Sequence, residues 1–502
     1  MAILEKKERF YYNRSTLFSE NHPISKEDYT TRYYYFVLLH RLSEKNQDLS
    51  PYLNPMMKVY QNRFRIRDED YIKVTAVKNN ETIVDLIREF KLIRKNYDPF
   101  THRRTDKNNY KYLFIAHVLM FDEDMNRTLQ SPFFNDVKDS LRIKEDLLEE
   151  IICFVKKINE NKIEEAEEML NQKELRELAY FCDEIRANDE ESQKNSPEVL
   201  VMATMSAGKS TFINSILGDD LLPSKNEACT AKVVTLKNRI NLPFYIGYKD
   251  GITKSFASFI NHKQLVKWNS EDEDIQIYLE GPFSTYFPDN TFVTLVDTPG
   301  PNNSMDKQHS DVALQRLEEN HQHIFYLLNA ANLATDDDRG LLIQILKRVP
   351  EDRWDKDLTF IINRMDEIDL EKDESIVGVF NNVLAYLTSL GIKKPRIIPF
   401  SSRAAKLLQM TLEGKKLSRK EKHDTNNYLE IYLDEKYSLV GPSRFGHISE
   451  ADNVFIEKAL KSRGELDSNL KIALWNTGFF AVIQSLKEIA NANNQKGKGE
   501  YI

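Results

Sequence analysis

Apolar residues recur at helical spacing through the first 195 residues of the chain. The clearest case is 141–158, where apolar positions come every three or four residues beside charged ones. Apolar segments at 33–42 and 110–121 are further helix candidates. No glycine occurs before residue 196, which disfavours a turn-rich β fold. The pattern predicts an all-helical domain over residues 1–182.

The pattern changes at Pro197, after a polar and charged stretch at 183–196 that predicts a linker. Short apolar runs, typical of buried strands, then alternate with helical patterns as far as about residue 405. This alternation predicts an α/β domain with a mostly parallel sheet and helices on both faces. The predicted strands are 199–204, 232–236, 292–297, 323–328, 358–363 and 396–400, and the predicted helices between them are 310–319, 339–347 and 375–390.

The periodicity weakens after this core. Residues 410–470 are charged and irregular, and we expect 406–470 to be an insertion. A basic cluster at 415–422 predicts a solvated surface or, as the sharper hypothesis, a contact with acidic lipid. An apolar pattern at 470–490 predicts a helix that closes the domain, within a final segment 471–502.

The composition of the chain narrows the class of protein to which it can belong. The chain has 502 residues, with 41% hydrophobic and 29% charged, which is typical of a soluble globular protein of two or three domains. The net charge of −8 gives no direct signal for nucleic-acid binding. No apolar run approaches the roughly 20 residues of a membrane span. The three cysteines lack metal-ligand spacing, so reduced thiols and a cytoplasmic location are expected, with peripheral membrane attachment left open.

Candidate chemistry begins at the first strand of the α/β region. The sequence VLVMATMSAGKSTFINSIL combines an apolar strand, a loop of small residues and an amphipathic helix, which predicts a phosphate-binding loop. Backbone N–H groups at a helix N-terminus have no partner within the helix and bind anions. We expect Ala207, Gly208 and Thr211 to contact phosphate, Lys209 to supply a charge for the β- and γ-phosphates, and Ser210 to bind Mg²⁺.

The first position of this loop departs from the usual pattern. It holds Ala203 where glycine is usual. Alanine is the next smallest side chain, so we expect modest strain if the backbone keeps a negative φ.

Three further motifs lie after or between predicted strands. Asp297 and Gly300 belong to the sequence DTPG, where a carboxylate can hold the Mg²⁺ shell and a glycine N–H can detect the γ-phosphate. Thr230, in the loop NEACTA, can offer a hydroxyl to Mg²⁺ while its backbone polarises the attacking water.

The third motif predicts which base the bound nucleotide carries. In NRMD, Asp366 can accept two hydrogen bonds from guanine, whereas adenine would leave this carboxylate unpaired. Asn363 is expected to brace the phosphate loop, and the stem of Arg364, which stands where lysine is usual, to lie over the base. Ser401 and Ser402 are expected to complete the base pocket.

These motifs together resemble the dynamin superfamily, specifically bacterial dynamin-like proteins. The resemblance covers residues 197–405 and rests on MSAGKST, NEACTA, VDTPGP, NAANLATDDDRGLL and INRMD. It implies that Ser206 orients the attacking water and organises a charge-compensating monovalent cation such as K⁺. It also implies that Ser206 and Thr230 act together, helped by dimerisation across the nucleotide face.

Outside that region the resemblance is fainter. Residues 475–490 are similar to the closing helix of dynamin-like GTPase domains. The order of an apolar helix, FDED at 121–124 and a second amphipathic helix resembles TerB-like helical domains, in which acidic residues can bind metal.

The sequence therefore predicts a GTPase that hydrolyses GTP to GDP and phosphate behind a helical domain. GTP, GDP and Mg²⁺ are the expected ligands, and a second copy of the chain is the expected partner. Two alternatives stay open. One is a slow nucleotide switch that binds a partner through residues 1–182, and the other is a membrane-remodelling or tethering protein that acts with lipid or with a second dynamin-like chain.

Overall fold

The structure is a computed structural model. It describes residues 21–45, 57, 60–61, 63–76, 110–120, 125–193, 196–204, 207–223, 232–239, 242, 244–250, 255–258, 260–270, 276–287, 291–298, 323–333, 335–370, 375–440 and 465–499. The chain divides into two compact units near residue 194, and each is described by itself.

The first unit is helical throughout its described residues, as predicted. Its α-helices are α1 (Tyr29–Lys45), α2 (Asp68–Ala76), α3 (Tyr110–Met120), α4 (Met125–Gln130), α5 (Pro132–Ser140), α6 (Glu145–Asn159), α7 (Ile163–Glu168) and α8 (Ala179–Gln193), with 3₁₀ turns at Pro23–Lys26 and Lys173–Leu178. Every residue of α3 is buried, and α6 packs against it with the apolar face predicted from its periodicity.

The predicted linker at 183–196 is helical over most of its length. Helix α8 continues through it to Gln193, with Ile185 fully buried. The segment lacks glycine and proline before Pro197 and contains three glutamates, which favour helix, so its charges form the solvated face of a helix. The two units divide at the end of this segment, between Lys194 and Asn195, and the segment is helical as far as Gln193.

The second unit contains a mostly parallel sheet with helices, as predicted. The nine strands of the described residues are β1 (Glu198–Ala203), β2 (Val234–Asn238), β3 (Ile246–Asp250), β4 (Ser255–Ser258), β5 (Gln276–Gly281), β6 (Thr294–Asp297), β7 (His323–Asn329), β8 (Leu358–Asn363) and β9 (Arg396–Pro399). They lie in the order β4-β3-β5-β2-β6-β1-β7-β8-β9. The sequence predicted six of these strands and missed β3, β4 and β5, which interleave apolar with polar residues.

The helices of this unit are α9 (Lys209–Leu217), α10 (His262–Asn269), α11 (Asp336–Arg348), α12 (Trp354–Asp357), α13 (Ile376–Ser389), α14 (Ser402–Leu412), α15 (Arg419–Leu433), α16 (Glu465–Asn476) and α17 (Phe479–Gly499). The helix predicted at 310–319 lies outside the described residues. Strands β6, β1, β7, β8 and β9 run parallel, so their carboxyl ends meet at one edge of the sheet. Ligands of open α/β sheets bind at this edge.

The region predicted to be an irregular insertion is regular in its described part. A capping box joins Ser418 and Glu421 at the start of α15, and α15 packs against α14 and α16. The helix buries Thr425 and Tyr432 among mostly charged and polar neighbours, so its apolar periodicity is weak in the sequence. Residues 441–464 lie outside the described part.

The predicted closing helix is two helices, α16 and α17. They are separated at Gly478, which has φ +81°. A Cβ at this position would lie 2.2 Å from the Pro399 carbonyl oxygen at the end of β9. Glycine is therefore required here both by its conformation and by the close approach of the two backbones.

Candidate nucleotide-binding site

The phosphate loop leaves β1 at Ala203 and ends at Gly208, immediately before α9. Ala203 is a buried strand residue paired beside β7, so it needs no positive φ, and alanine is compatible with the position. Gly208 has φ +87°, and a Cβ on it would lie 2.6 Å from the Asn363 amide nitrogen. The first N–H groups of α9, from Lys209 onward, face the loop without a partner within the helix. This is the geometry of an anion site.

Lys209 and Asp297 lie together at the phosphate end of the site. The Lys209 Nζ is 3.6 Å from Asp297 Oδ1, and it donates a hydrogen bond to the Thr298 carbonyl. Asp297 is fully buried, and neither of its carboxylate oxygens has a hydrogen-bond partner among the described residues. Burial raises the pKa of Asp297, and the Lys209 charge opposes this rise.

The unsatisfied oxygens of Asp297 fit a bound cation. A buried carboxylate without hydrogen bonds is costly unless a cation or a bound water compensates it. Carboxylate and hydroxyl oxygens are ligands that Mg²⁺ prefers, and Ser210 supplies a hydroxyl in the first turn of α9. Mg²⁺ at a nucleotide takes few ligands from the protein, because phosphate oxygens and water supply the others. The donor set therefore suits a cation that also takes ligands from phosphate and water.

Asn363, at the end of β8, connects the phosphate loop to α14. Its amide nitrogen donates to the Ala207 carbonyl at 2.7 Å. Its amide oxygen accepts from the Ser402 hydroxyl at 2.6 Å and from the Ser402 N–H at 3.3 Å. The bracing contact expected of Asn363 is present, and it holds the loop against the first turn of α14.

Asp366 lies at the base end of the site. Its Oδ1 accepts a hydrogen bond from the Ser401 hydroxyl at 2.5 Å, and its Oδ2 accepts one from the Tyr428 hydroxyl at 3.0 Å. Arg364 has φ +63°, a conformation that costs roughly 1 kcal/mol for a residue other than glycine. Its guanidinium donates to Glu367 at 3.0 and 3.4 Å, so it is held beside the pocket.

A cavity of about 370 Å³ lies between the phosphate loop, β8 and helices α14 and α15. Gly208 and Thr211 line it on the loop side, and Asp366 and Ser402 line it on the base side. Phosphate-binding and base-reading groups therefore face one cavity. Three residues predicted for the site, Ser206, Thr230 and Gly300, lie outside the described residues, so their placement stays a prediction.

Two contacts of this region were not predicted from the sequence. The Thr204 hydroxyl, beside the phosphate loop, donates to Asp338 Oδ1 at 2.7 Å, and Asp338 is 2% exposed at the start of α11. Thr335 caps α11 and also contacts Asp338. The spacing of Thr335 and Asp338 is a helix-start signal that could have found this cap. Tyr428 had no comparable signal, because it belongs to a segment predicted to be irregular.

The fold and the site define a P-loop GTP-binding domain. Residues 199–365 match the sequence profile of the Dynamin family. This match confirms, over residues 199–365, the resemblance to the dynamin superfamily seen in the sequence.

Two curated relatives match part of the chain. An uncharacterized protein in the xynA 3′ region of Caldicellulosiruptor sp. (strain Rt8B.4) is 24% identical over 278 residues, which cover 55% of this chain and 63% of the relative. A bacterial dynamin-like protein of Nostoc punctiforme is 27% identical over 244 residues, which cover 43% of this chain and 34% of the relative. The chain thus spans less than two thirds of either relative.

Solved structures match the chain loosely. One is described as an oligomerised bacterial dynamin pair that provides a mechanism for the long-range sensing and tethering of membranes. It covers 83% of this chain and 68% of its own, with 15% identity and a TM-score of 0.35. Era from Aquifex aeolicus bound to GDP·AlF₄⁻ covers 55% of this chain and 70% of its own, with 17% identity and a TM-score of 0.25.

Proposed function

We propose that this protein hydrolyses GTP to GDP and phosphate with Mg²⁺, and that a second copy of the chain increases the rate by pairing across the nucleotide face. The observation that carries the proposal is the buried Asp297 carboxylate beside Lys209, whose oxygens are unsatisfied among the described residues. A domain that only needed stability would lose little if well-packed apolar residues replaced the whole Lys209–Asp297 ion pair. A domain that binds a cation together with a nucleotide needs the carboxylate as a ligand for that cation.

Different residues are proposed to bind the phosphates, the metal ion, the attacking water and the base. The N–H groups at the start of α9 and the Lys209 ammonium bind the β- and γ-phosphates and stabilise the charge that develops during transfer. Ser210, Asp297 and Thr230 would hold Mg²⁺, which neutralises phosphate charge when bound. Thr230 and Ser206 are proposed to position the attacking water, and Ser206 to organise K⁺. Asp366 selects guanine.

The test is turnover of GTP and ATP by the purified chain, with Asp366→Asn and Thr230→Ala beside it. We expect GTP turnover that rises with protein concentration and is faster in K⁺ than in Na⁺. Asp366→Asn is expected to weaken GTP binding about 100-fold, since it replaces one acceptor oxygen with an N–H₂ donor and removes the charge that strengthens the other hydrogen bond. Equal hydrolysis of ATP and GTP by the unmodified chain would contradict guanine selection.

Slow turnover that is independent of protein concentration would support the alternative function, a slow nucleotide switch. In that case GTP-dependent capture of a partner by the helical unit is the expected output. Unchanged turnover in Thr230→Ala would show that the catalytic threonine is at another position.

A membrane surface is the second candidate partner. Within the basic cluster, the Lys415 ammonium contacts Asp219, Glu413 and the Gly218 carbonyl, so it is engaged inside the domain. The other basic residues of this cluster, Lys416, Arg419, Lys420 and Lys422, are exposed. None of the described helices has the length and hydropathy to span a bilayer. Flotation with vesicles that contain acidic lipid, compared with a variant in which these four residues are alanine, tests this candidate.

A further inference from the structure

The Asp366 carboxylate is held by two hydroxyl groups that come from different parts of the chain. Ser401 belongs to the loop that predicts the base pocket, but Tyr428 lies on α15, which no motif connects with nucleotide binding. Each oxygen of the carboxylate accepts one of these hydroxyls and keeps a second lone pair. The plane of the carboxylate is therefore restrained at both oxygens.

Helix α15 contributes a whole face to this end of the site. Asp424 and Tyr428 are four residues apart and so lie on the same face of the helix. Asp424 pairs with Arg403 at 2.5 Å, and Arg403 lines the cavity directly after Ser402. One turn earlier, Glu421 also lines the cavity. Contacts at 421, 424 and 428 thus extend over two turns of α15, which forms a wall of the base pocket.

This restraint on the carboxylate affects how well Asp366 can recognise a base. Guanine presents two neighbouring N–H donors in one plane, and a carboxylate accepts both only when it is coplanar with them. A carboxylate held in this orientation before the ligand arrives loses less freedom on binding. Adenine lacks the donor pair, so a fixed carboxylate facing it stays unpaired.

We propose that Tyr428 is a positioning residue for guanine recognition, which holds the Asp366 carboxylate in the orientation that the base requires. The proposal deepens the proposed GTPase function and rests on it. It gives α15 a role in nucleotide selection that its charged sequence does not suggest.

The Tyr428 hydroxyl is suited to act as a constant donor. Burial and the neighbouring Asp366 charge raise the pKa of Tyr428 well above its ordinary value, while Arg403 opposes the rise. The phenol therefore stays protonated at any pH at which the protein is assayed. Its ring packs with Leu407, Met410 and Leu417, which keeps the hydroxyl in place.

Tyr428→Phe tests the proposal, because it removes the hydroxyl and keeps the ring. We expect the affinity for GDP to fall about 10-fold, as expected for one hydrogen bond to a charged group, while the affinity for ADP stays unchanged. With GTP as substrate, KM should rise and kcat should stay within about twofold, since binding rather than the transfer step is affected. Tyr386→Phe is the matched control, since the Tyr386 hydroxyl has no hydrogen-bond partner in the described part of the structure.

A double-mutant cycle separates positioning from packing. Tyr428→Phe should lose its effect on GDP binding in the Asp366→Asn background, because the hydroxyl acts only through that carboxylate. Additive effects of the two substitutions would overturn the proposal. If Tyr428→Phe fails to fold, Tyr428→Leu, which also removes the hydroxyl and keeps an apolar side chain beside Leu407, is compared with the unmodified chain, and an unchanged preference for GDP over ADP would contradict a positioning role.

The outcomes also separate this proposal from the function on which it rests. An unmodified chain that does not prefer GDP to ADP refutes guanine selection itself. An unmodified chain that prefers GDP, with a Tyr428→Phe variant that keeps the full preference, refutes only the role of Tyr428. A parallel loss of GDP and ADP affinity in Tyr428→Phe would indicate a structural role and would also overturn the proposal.

Discussion

A buried histidine in one unit and a buried aspartate in the other differ in how their polar atoms are satisfied. In the helical unit, the buried His117 ring is hydrogen-bonded at both nitrogens, to the Tyr35 hydroxyl at 2.8 Å and to the Tyr60 hydroxyl at 2.5 Å. In the GTP-binding unit, the buried Asp297 carboxylate has no hydrogen-bond partner among the described residues. A satisfied, neutral group stabilises a core, whereas an unsatisfied charge marks a place where a ligand completes the structure.

The electrostatics of the two groups follow from the same difference. Burial lowers the pKa of His117 to about 3, so the ring is neutral at physiological pH. Burial raises the pKa of Asp297, but the Lys209 charge works against it. His22, whose ring centroid lies 5.3 Å from that of His117, also has a pKa lowered by burial. His117 and His22 are thus buried as neutral rings, whereas Asp297 is buried beside the charge of Lys209.

The largest expected effect comes from removing the cation that faces Asp297. Lys209→Ala should lower GTP turnover about 100- to 1000-fold, since it removes preorganised charge from the transition state. Lys415→Ala is the control, because it deletes a partly buried lysine that also pairs with carboxylates in the same unit. Steady-state kinetics of both variants make the comparison. A loss below about tenfold in Lys209→Ala would place the phosphate site elsewhere.

Acid should destabilise the helical unit first. The pKa of His117 is lower in the folded state than its usual 6.5, so its contribution to stability is full above pH 6.5 and is lost as the pH falls toward 3. Between pH 7.5 and pH 4.5 the loss is about 2–3 kcal/mol. Asp297 acts in the opposite direction, since the cost of its charge is relieved as the pH falls through its raised pKa.

The two units can be followed separately in denaturant titrations. The chain has three tryptophans, Trp268, Trp354 and Trp475, and all lie in the GTP-binding unit. Their fluorescence reports on that unit, whereas far-ultraviolet circular dichroism also includes the helical unit. His117→Gln, which keeps hydrogen-bonding capacity without titrating, should flatten the pH dependence of the helical unit. The same slope in this variant would show that another group controls acid sensitivity.

The smallest effect is expected at the contact between the phosphate loop and α11. Thr204→Val keeps the shape of the side chain and removes its hydrogen bond to the buried Asp338. We expect the affinity for GDP to fall about 5-fold and the stability of the unit to fall by about 1 kcal/mol. Thr411→Val, whose hydroxyl contacts only the Leu407 carbonyl within α14, is the control. Equal effects of both substitutions on GDP affinity would show that Thr204 does not position the loop.

Much of the candidate site could be predicted from the sequence because its parts are local. A strand, a turn and a helix start are contiguous, so VLVMATMSAGKST by itself predicts where N–H groups converge. NRMD and the serines after β9 could be predicted because each directly follows an apolar strand. The contact of Asn363 with Ala207, across 156 residues of sequence, follows from parallel strands ending at one edge.

The remaining features depend on tertiary packing. Helix α15 has few apolar residues, so its pattern is weak, and its place beside Asp366 comes from contacts with α14 and α16. Strands β3, β4 and β5 interleave apolar with polar residues, and their pairing with one another and with β2 defines them. Propensity and periodicity describe single segments and carry no information about such partners.

The sequence by itself predicted the phosphate loop, a guanine-reading role for Asp366, the class of fold and the dynamin resemblance, because each rests on residues close together in the chain. Only the tertiary structure decided which groups satisfy one another. It places Tyr428 on Asp366, Asp338 on Thr204 and two tyrosines on His117, and it leaves Asp297 without a hydrogen-bond partner among the described residues. The satisfaction of a buried polar group depends on every segment packed around it, and only the folded chain brings those segments together.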